Sequence, residues 1–246
     1  MKADFAGFPQ EGIDFMARLA RRNHRDWFQP RKHIFDEQVK APMTELVEAL
    51  NRALRGFAPD YVTDPKTAIY RIYRDTRFSA DKTPYKDHIA ASFSRRGGPK
   101  HGESGYYFSV SAKQIEVGGG VYMPQPEALR KLRRHIAATH EELRAILAAR
   151  PVKRLLGEVQ GDRLSRTPAG FDAAHPAADL LRFKSLFLFT TLPAEIATTP
   201  KLYREVAERF RVMTPFLEYL ARPLARAKAK PKPGLHFDDR HLPVNF

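Results

Sequence analysis

The sequence contains no cysteine. That absence removes disulfides, thiolate nucleophiles and every cysteine-ligated zinc or iron–sulfur centre from consideration. Long apolar runs are also missing. The most apolar segment, SLFLFTTL at 185–192, is far shorter than the roughly 20 residues a membrane-spanning helix needs. The N-terminal stretch MKADFAGFPQEGIDFMARLARR spaces its charges too closely for a secretory apolar core. The expected address is therefore the cytoplasm, with no membrane insertion. No long unit recurs, which argues against solenoids and propellers. Several signatures are absent as well: GxxxxGK[ST], a GxGxxG opening a helix, HExxH, the EF-hand loop and the GxSxG elbow.

Positive charge is abundant. The chain carries 42 lysines and arginines against 28 aspartates and glutamates, a net charge of +14. Residues 221–246 supply six basic and two acidic residues, so the body keeps +10. Such an excess attracts nucleic acid, phosphorylated metabolites or anionic surfaces without choosing among them. An arginine-rich composition set by the genome would give the same excess with no partner. Apolar residues make up 43% of the 246, enough for a proper core.

Periodicity divides the chain. Ile13, Met16 and Leu19 form one helical stripe, with Asn23 as a stop. A second helix is expected from an Asp26 N-cap, and Pro42 opens a third with Leu46, Val47, Leu50 and Leu54 inward. From about residue 67 the period becomes two. Strands are predicted at 68–74, 88–94, 105–111 and 113–117, forming an antiparallel meander with one dry face. Arg71, Tyr73, His88, Ser92, Tyr107, Ser109 and Glu116 fall on its polar face, where small residues leave space. A helix from Pro126 to about 149, a strand at 185–191 and a helix at about 199–220 follow, with Pro215 expected to kink or split the last. The expected fold is α+β: an antiparallel sheet with helices packed on it, one domain over 1–222 and a flexible basic tail at 223–246.

Three constellations carry candidate chemistry. In YRIYRDTRFSADKTPYKDH (70–88), Arg71, Arg74, Arg77, Lys82 and Lys86 interleave with Tyr73, Tyr85 and three aspartates. Guanidinium forks suit phosphate or carboxylate, and three acids cannot fully pair five bases. The bland alternative is an Arg–Asp network that pins the loop. In VGGGVYMPQP (117–126), Gly118, Gly119 and Gly120 would let a ligand approach the backbone beside Tyr122, or simply allow close packing. In FDAAHPAADLLRFK (171–184), Asp172, His175, Arg182 and Lys184 offer acid–base and cationic groups, while the spacing matches no established metal motif.

The blocks RIYRDTRFSADKTPYKDHIAASF, GYYFSVSAKQIEVGGGVYMPQPEALRKLR and LSRTPAGFDAAHPAADLLRFKS, with FMARLARRNHRDWF before them, resemble successive signatures of a widespread family known only as a domain of unknown function. The similarity spans about residues 8–220 and implies one domain ending before the tail. It carries no activity or catalytic residue to transfer. The leading expectation is a phosphorylated or otherwise anionic small-molecule ligand on the polar sheet face, held by the five cations, His88, Arg182 and Lys184 with the tyrosines and glycines named. If the protein is an enzyme, phosphoester chemistry comes first, with Asp75, Glu116, Asp172 and His175 as acid–base candidates. Nucleic-acid binding through the basic face at 130–134 and the tail is the alternative, and a partner-binding scaffold the third. No cofactor is indicated.

Overall fold

The computed structural model describes residues 5–77, 79–96 and 104–225. The N-terminal part is helical. Helix α1 (Gln10–Arg21) buries Phe15, Met16 and Leu19 as its spacing requires. Asn23 does more than end it: its amide donates to the Tyr85 carbonyl at 2.8 Å and accepts from the Tyr85 N–H at 3.0 Å. A nearly continuous run follows, made of α2 (Arg25–Phe28), a 3-10 turn, α3 (Lys32–Phe35), a π-turn at Asp36–Lys40 and α4 (Ala41–Phe57). The N-cap of α2 is His24 rather than Asp26, which lies in the first turn. Pro42 sits where expected, in the first turn of α4.

The strand expected at 68–74 is not formed. Asp64 caps a short helix instead, α5 (Pro65–Ala68), by accepting from the Lys66 N–H at 2.8 Å. An irregular segment then touches the sheet through single bridges, Ile69 to Ala91 and Tyr73 to Tyr85. An Asp–Pro pair starts a helical turn, and the charges beyond it need solvent, so local chemistry wins over the alternating pattern.

Strands β1 (His88–Ser94), β2 (Ser104–Ser111), β3 (Gln114–Val121) and β4 (Leu186–Pro193) make an antiparallel sheet in that order. β3 runs four residues beyond its expected end. Gly118, Gly119 and Gly120 stay paired with Tyr107, Tyr106 and Gly105 on one side and with Phe189, Leu188 and Phe187 on the other. Between β3 and β4 lie α6 (Pro126–Ala148), α7 (Arg150–Leu156) and α8 (Ala178–Leu181). Helix α9 (Lys201–Ala221) follows β4 and passes unbroken through Pro215. Burial of Met213, Phe216 and Leu217 around the proline offsets the missing hydrogen bond. The irregularity falls in α6 instead, where Thr139 leaves helical geometry.

One sheet face packs on helices. Phe210 of α9 stacks on Tyr106 at 4.5 Å between centroids and meets Phe93 edge-on at 5.6 Å. Phe108, Val117 and Leu188 share this contiguous core. No helix among the described residues is long and apolar enough to cross a membrane. The basic tail from 226 onward lies outside the described residues.

Candidate ligand-binding cleft

The opposite sheet face is open, and its side chains form rows dictated by the register. Ser92, Tyr107, Gly118 and Phe189 make one row, and Ser94, Gly105, Gly120 and Phe187 the next. Three glycines thus place bare backbone between aromatic rings. The result is a cleft of about 740 Å³ with a glycine floor and walls from Tyr70, Tyr107, Tyr122, Phe187 and Phe189. The Tyr70 and Tyr107 centroids lie 6.5 Å apart on one side, and Tyr122 meets Phe187 edge-on at 5.9 Å on the other. Gln160 closes the β4 side: its backbone bridges Phe187, and its amide donates to the Phe189 carbonyl at 2.9 Å.

The floor glycines have structural work too. Gly120 has φ +148, and a Cβ there would lie 2.2 Å from the Leu186 carbonyl oxygen. A Cβ on Gly119 would point the other way, 2.5 Å from Met213 Sδ in the core. The triplet is therefore a packing device inside a strand, not a loop before a helix.

Glu116 is the one carboxylate lining the cleft among the described residues. Its oxygens accept from the Ser109 hydroxyl at 2.8 Å and from the Gln114 amide at 3.0 Å. It also lines a smaller cavity of about 230 Å³ with Asp87, His88 and Lys113. There the His88 ring and Asp87 are 3.1 Å apart. Burial pushes the Tyr107 hydroxyl above the usual phenol range; a hydrogen bond with Ser109 opposes the shift, and the nearby Glu116 and Tyr70 add to it.

One of the five expected cations, Lys86, packs against a cleft wall, with Arg71 as its charged neighbour. Lys86 Nζ lies 5.1 Å from the Tyr70 ring centroid. Burial holds this ammonium below its ordinary range, and the neighbouring Arg71 lowers it further. The other three belong to a separate loop network. Arg74 holds Asp81 and Thr83, Arg77 grips Asp75 at 2.7 and 3.0 Å, and Lys82 donates to the Thr76 carbonyl at 2.9 Å. Hydrogen bonds from Arg77 hold the Asp75 carboxyl at about 2. Those from Thr83 and Arg74 do the same for Asp81.

The tyrosines divide as well. Tyr122 is on the cleft, Tyr73 is 42% exposed outside it, and Tyr85 is core, stacked on Phe28 at 4.2 Å. The 171–184 constellation is elsewhere. Asp172 accepts from the Ala174 N–H and His175 Nδ1 from the Ala177 N–H. Asp179 is bound by Arg144 at 2.7 Å. Neither cavity is lined by Asp75, Asp172, His175, Arg182 or Lys184. Among the described residues, no three His, Asp or Glu side chains gather as a metal site would require.

A family model described as "Conserved hypothetical protein (DUF2461)" matches residues 11–219. The chain belongs to this family. The expected membership of a family known only as a domain of unknown function is therefore correct, and the DUF2461 match takes in every cleft residue from Tyr70 to Phe189. No curated protein and no solved structure matches the chain significantly.

Sequence reasoning missed Tyr70, Ser94, Gly105, Gln160, Phe187 and Phe189 as cleft residues. The two phenylalanines alternate with Leu186 and Leu188, and this period was the available signal. A run apolar on both faces hides it, because strand and buried helix look alike there.

Proposed function

We propose that the protein binds a small molecule of nucleotide size, with its ring against the open sheet face and its anionic group at Arg71 and Lys86. The carrying observation is an aromatic-walled cleft over a glycine floor, with Lys86 against its Tyr70 wall and in no ion pair among the described residues, and Arg71 close enough to Lys86 to act on its charge. Its volume lies in the range of small-molecule sites. Exposed tyrosines cost little to leave in water and offer flat faces for stacking. Like charges held together favour an anion between them. Glu116 is the only one of the four acid–base candidates in the cleft, so the reading is of binding, with no reaction assigned.

A second reading uses the same face. Tyr70 and Tyr122 are 46% and 67% exposed on an open antiparallel sheet, a surface on which the bases of a single strand can stack. Thermal-shift titration separates the two, since native-state ligands raise the melting temperature. Nucleoside monophosphates, inorganic phosphate and a short single-stranded oligonucleotide are compared. The monophosphate reading expects stabilisation by nucleotides, little by phosphate alone, and loss of the effect in Tyr122→Ala. Stabilisation by the oligonucleotide alone, falling steeply with salt, supports the second reading.

A further inference from the structure

Resting on that reading of the cleft, we infer that Glu116 selects the ligand: the ring it accepts presents adjacent N–H donors along one edge, as guanine does, rather than acceptors. Besides Glu116 the lining offers mainly the hydroxyls of Ser92, Ser94 and the tyrosines, each of which can donate or accept and so does not choose between rings. The Gln160 side chain is anchored by its Nε2 to the Phe189 carbonyl, and its remaining amide groups present both a donor and an acceptor; the floor is glycine backbone already paired in the sheet. Stacking on tyrosine and phenylalanine is indifferent to the pattern of donors and acceptors, because every base has a π-face. Selection must come from a polar group at the edge of the ring.

Glu116 stands at that edge. It precedes Gly118 by two residues on the same strand face, a spacing of roughly 6.6 Å. The carboxylate is fixed rather than free, with Ser109 on Oε2 and Gln114 on Oε1. A carboxylate has about four acceptor sites, so each oxygen keeps one for a ligand. Two parallel acceptors suit an edge with two N–H groups and repel one that presents carbonyl or ring-nitrogen lone pairs. Lys86 against the Tyr70 wall, with Arg71 near it, receives the anionic group.

The test compares guanosine and inosine monophosphates, which differ only by the exocyclic amino group at the donor edge. Affinities are measured by calorimetry for the full chain and for Glu116→Gln. The expected result is a preference for the guanine nucleotide of about tenfold, the scale of one bidentate pair. In Glu116→Gln the preference collapses to about one while inosine monophosphate still binds, which also shows that the variant is folded. Equal affinities in the unaltered protein, or a preference that survives Glu116→Gln, overturn the inference and leave the cleft reading intact. Failure of both nucleotides to bind overturns the cleft reading and the inference together.

Discussion

Lys86 Nζ is held 5.1 Å from the centre of the Tyr70 ring, and no carboxylate pairs with it among the described residues. A half-buried ammonium over an aromatic wall, with Arg71 beside it, is suited to receive an anion. Lys86→Met is expected to weaken nucleoside monophosphate binding by about tenfold, the scale of a charge-assisted hydrogen bond. Arg77→Ala removes a guanidinium already committed to Asp75 and should change affinity by less than about twofold. Calorimetry on the two variants checks the contrast. Equal losses would place the anion in the loop network instead.

Tyr122 and Phe210 separate binding from stability. Tyr122 is 67% exposed, so Tyr122→Ala should shift unfolding free energy by no more than about 0.5 kcal/mol while removing a cleft wall. Phe210 is fully buried between Tyr106 and Phe93, and Phe210→Ala should cost about 3–5 kcal/mol. Urea denaturation measures both.

Gly120→Ala combines a left-handed backbone angle with a Cβ placed against the Leu186 carbonyl and the Phe187 Cα. Neither neighbour is the movable end of a side chain. A loss of more than about 2 kcal/mol is expected, with separation of β3 from β4 as its local expression. Faster amide exchange at the Gly120 and Phe187 pair, alongside the denaturation curve, reads it.

Stability should fall at both ends of the pH scale for identifiable reasons. Burial lowers the folded-state value of His135 below its ordinary 6.5; Arg222 lowers it further, and Glu142 opposes. A depressed histidine favours the folded state fully above pH 6.5 and loses that contribution as pH falls below it. His135→Gln should flatten the curve between about pH 6.5 and 5. On the alkaline side, burial raises Tyr61 to about 12 and pushes Tyr106 upward also. Both favour folding below pH 10 and cease to do so as pH climbs through their raised values. Melting temperature against pH tests each limb.

Much of the fold was legible because period and burial coincide. Ile89 and Phe93, Phe108 and Val110, and Ile115 and Val117 lie on the helix-covered side as alternation requires. Glu116, Ser92 and Tyr107 fall on the open side for the same reason. The segment 68–74 misled because its alternation is real, yet Asp64 and Pro65 start a helical turn and only Ile69 and Tyr73 bridge. The cleft's far wall was hidden by distance along the chain: Phe187 and Phe189 come beside Gly120 and Gly118 only after a connection of more than sixty residues, between Val121 and Leu186. Charge density in 70–88 marked the right neighbourhood, but only pairing geometry separates Arg71 and Lys86 from Arg74 and Arg77, whose acids are a few residues away.

The most direct measurement is an NMR titration of the full chain with guanosine monophosphate, following backbone amides. The expected perturbations cluster at Gly105, Tyr107, Glu116, Gly118 and Gly120 and extend to Tyr70 and Lys86, leaving Asp172, His175 and Arg182 unmoved. No saturable change at the three floor glycines, or changes centred on the Asp75–Asp81 loop or on residues 172–182, would contradict binding on the open sheet face.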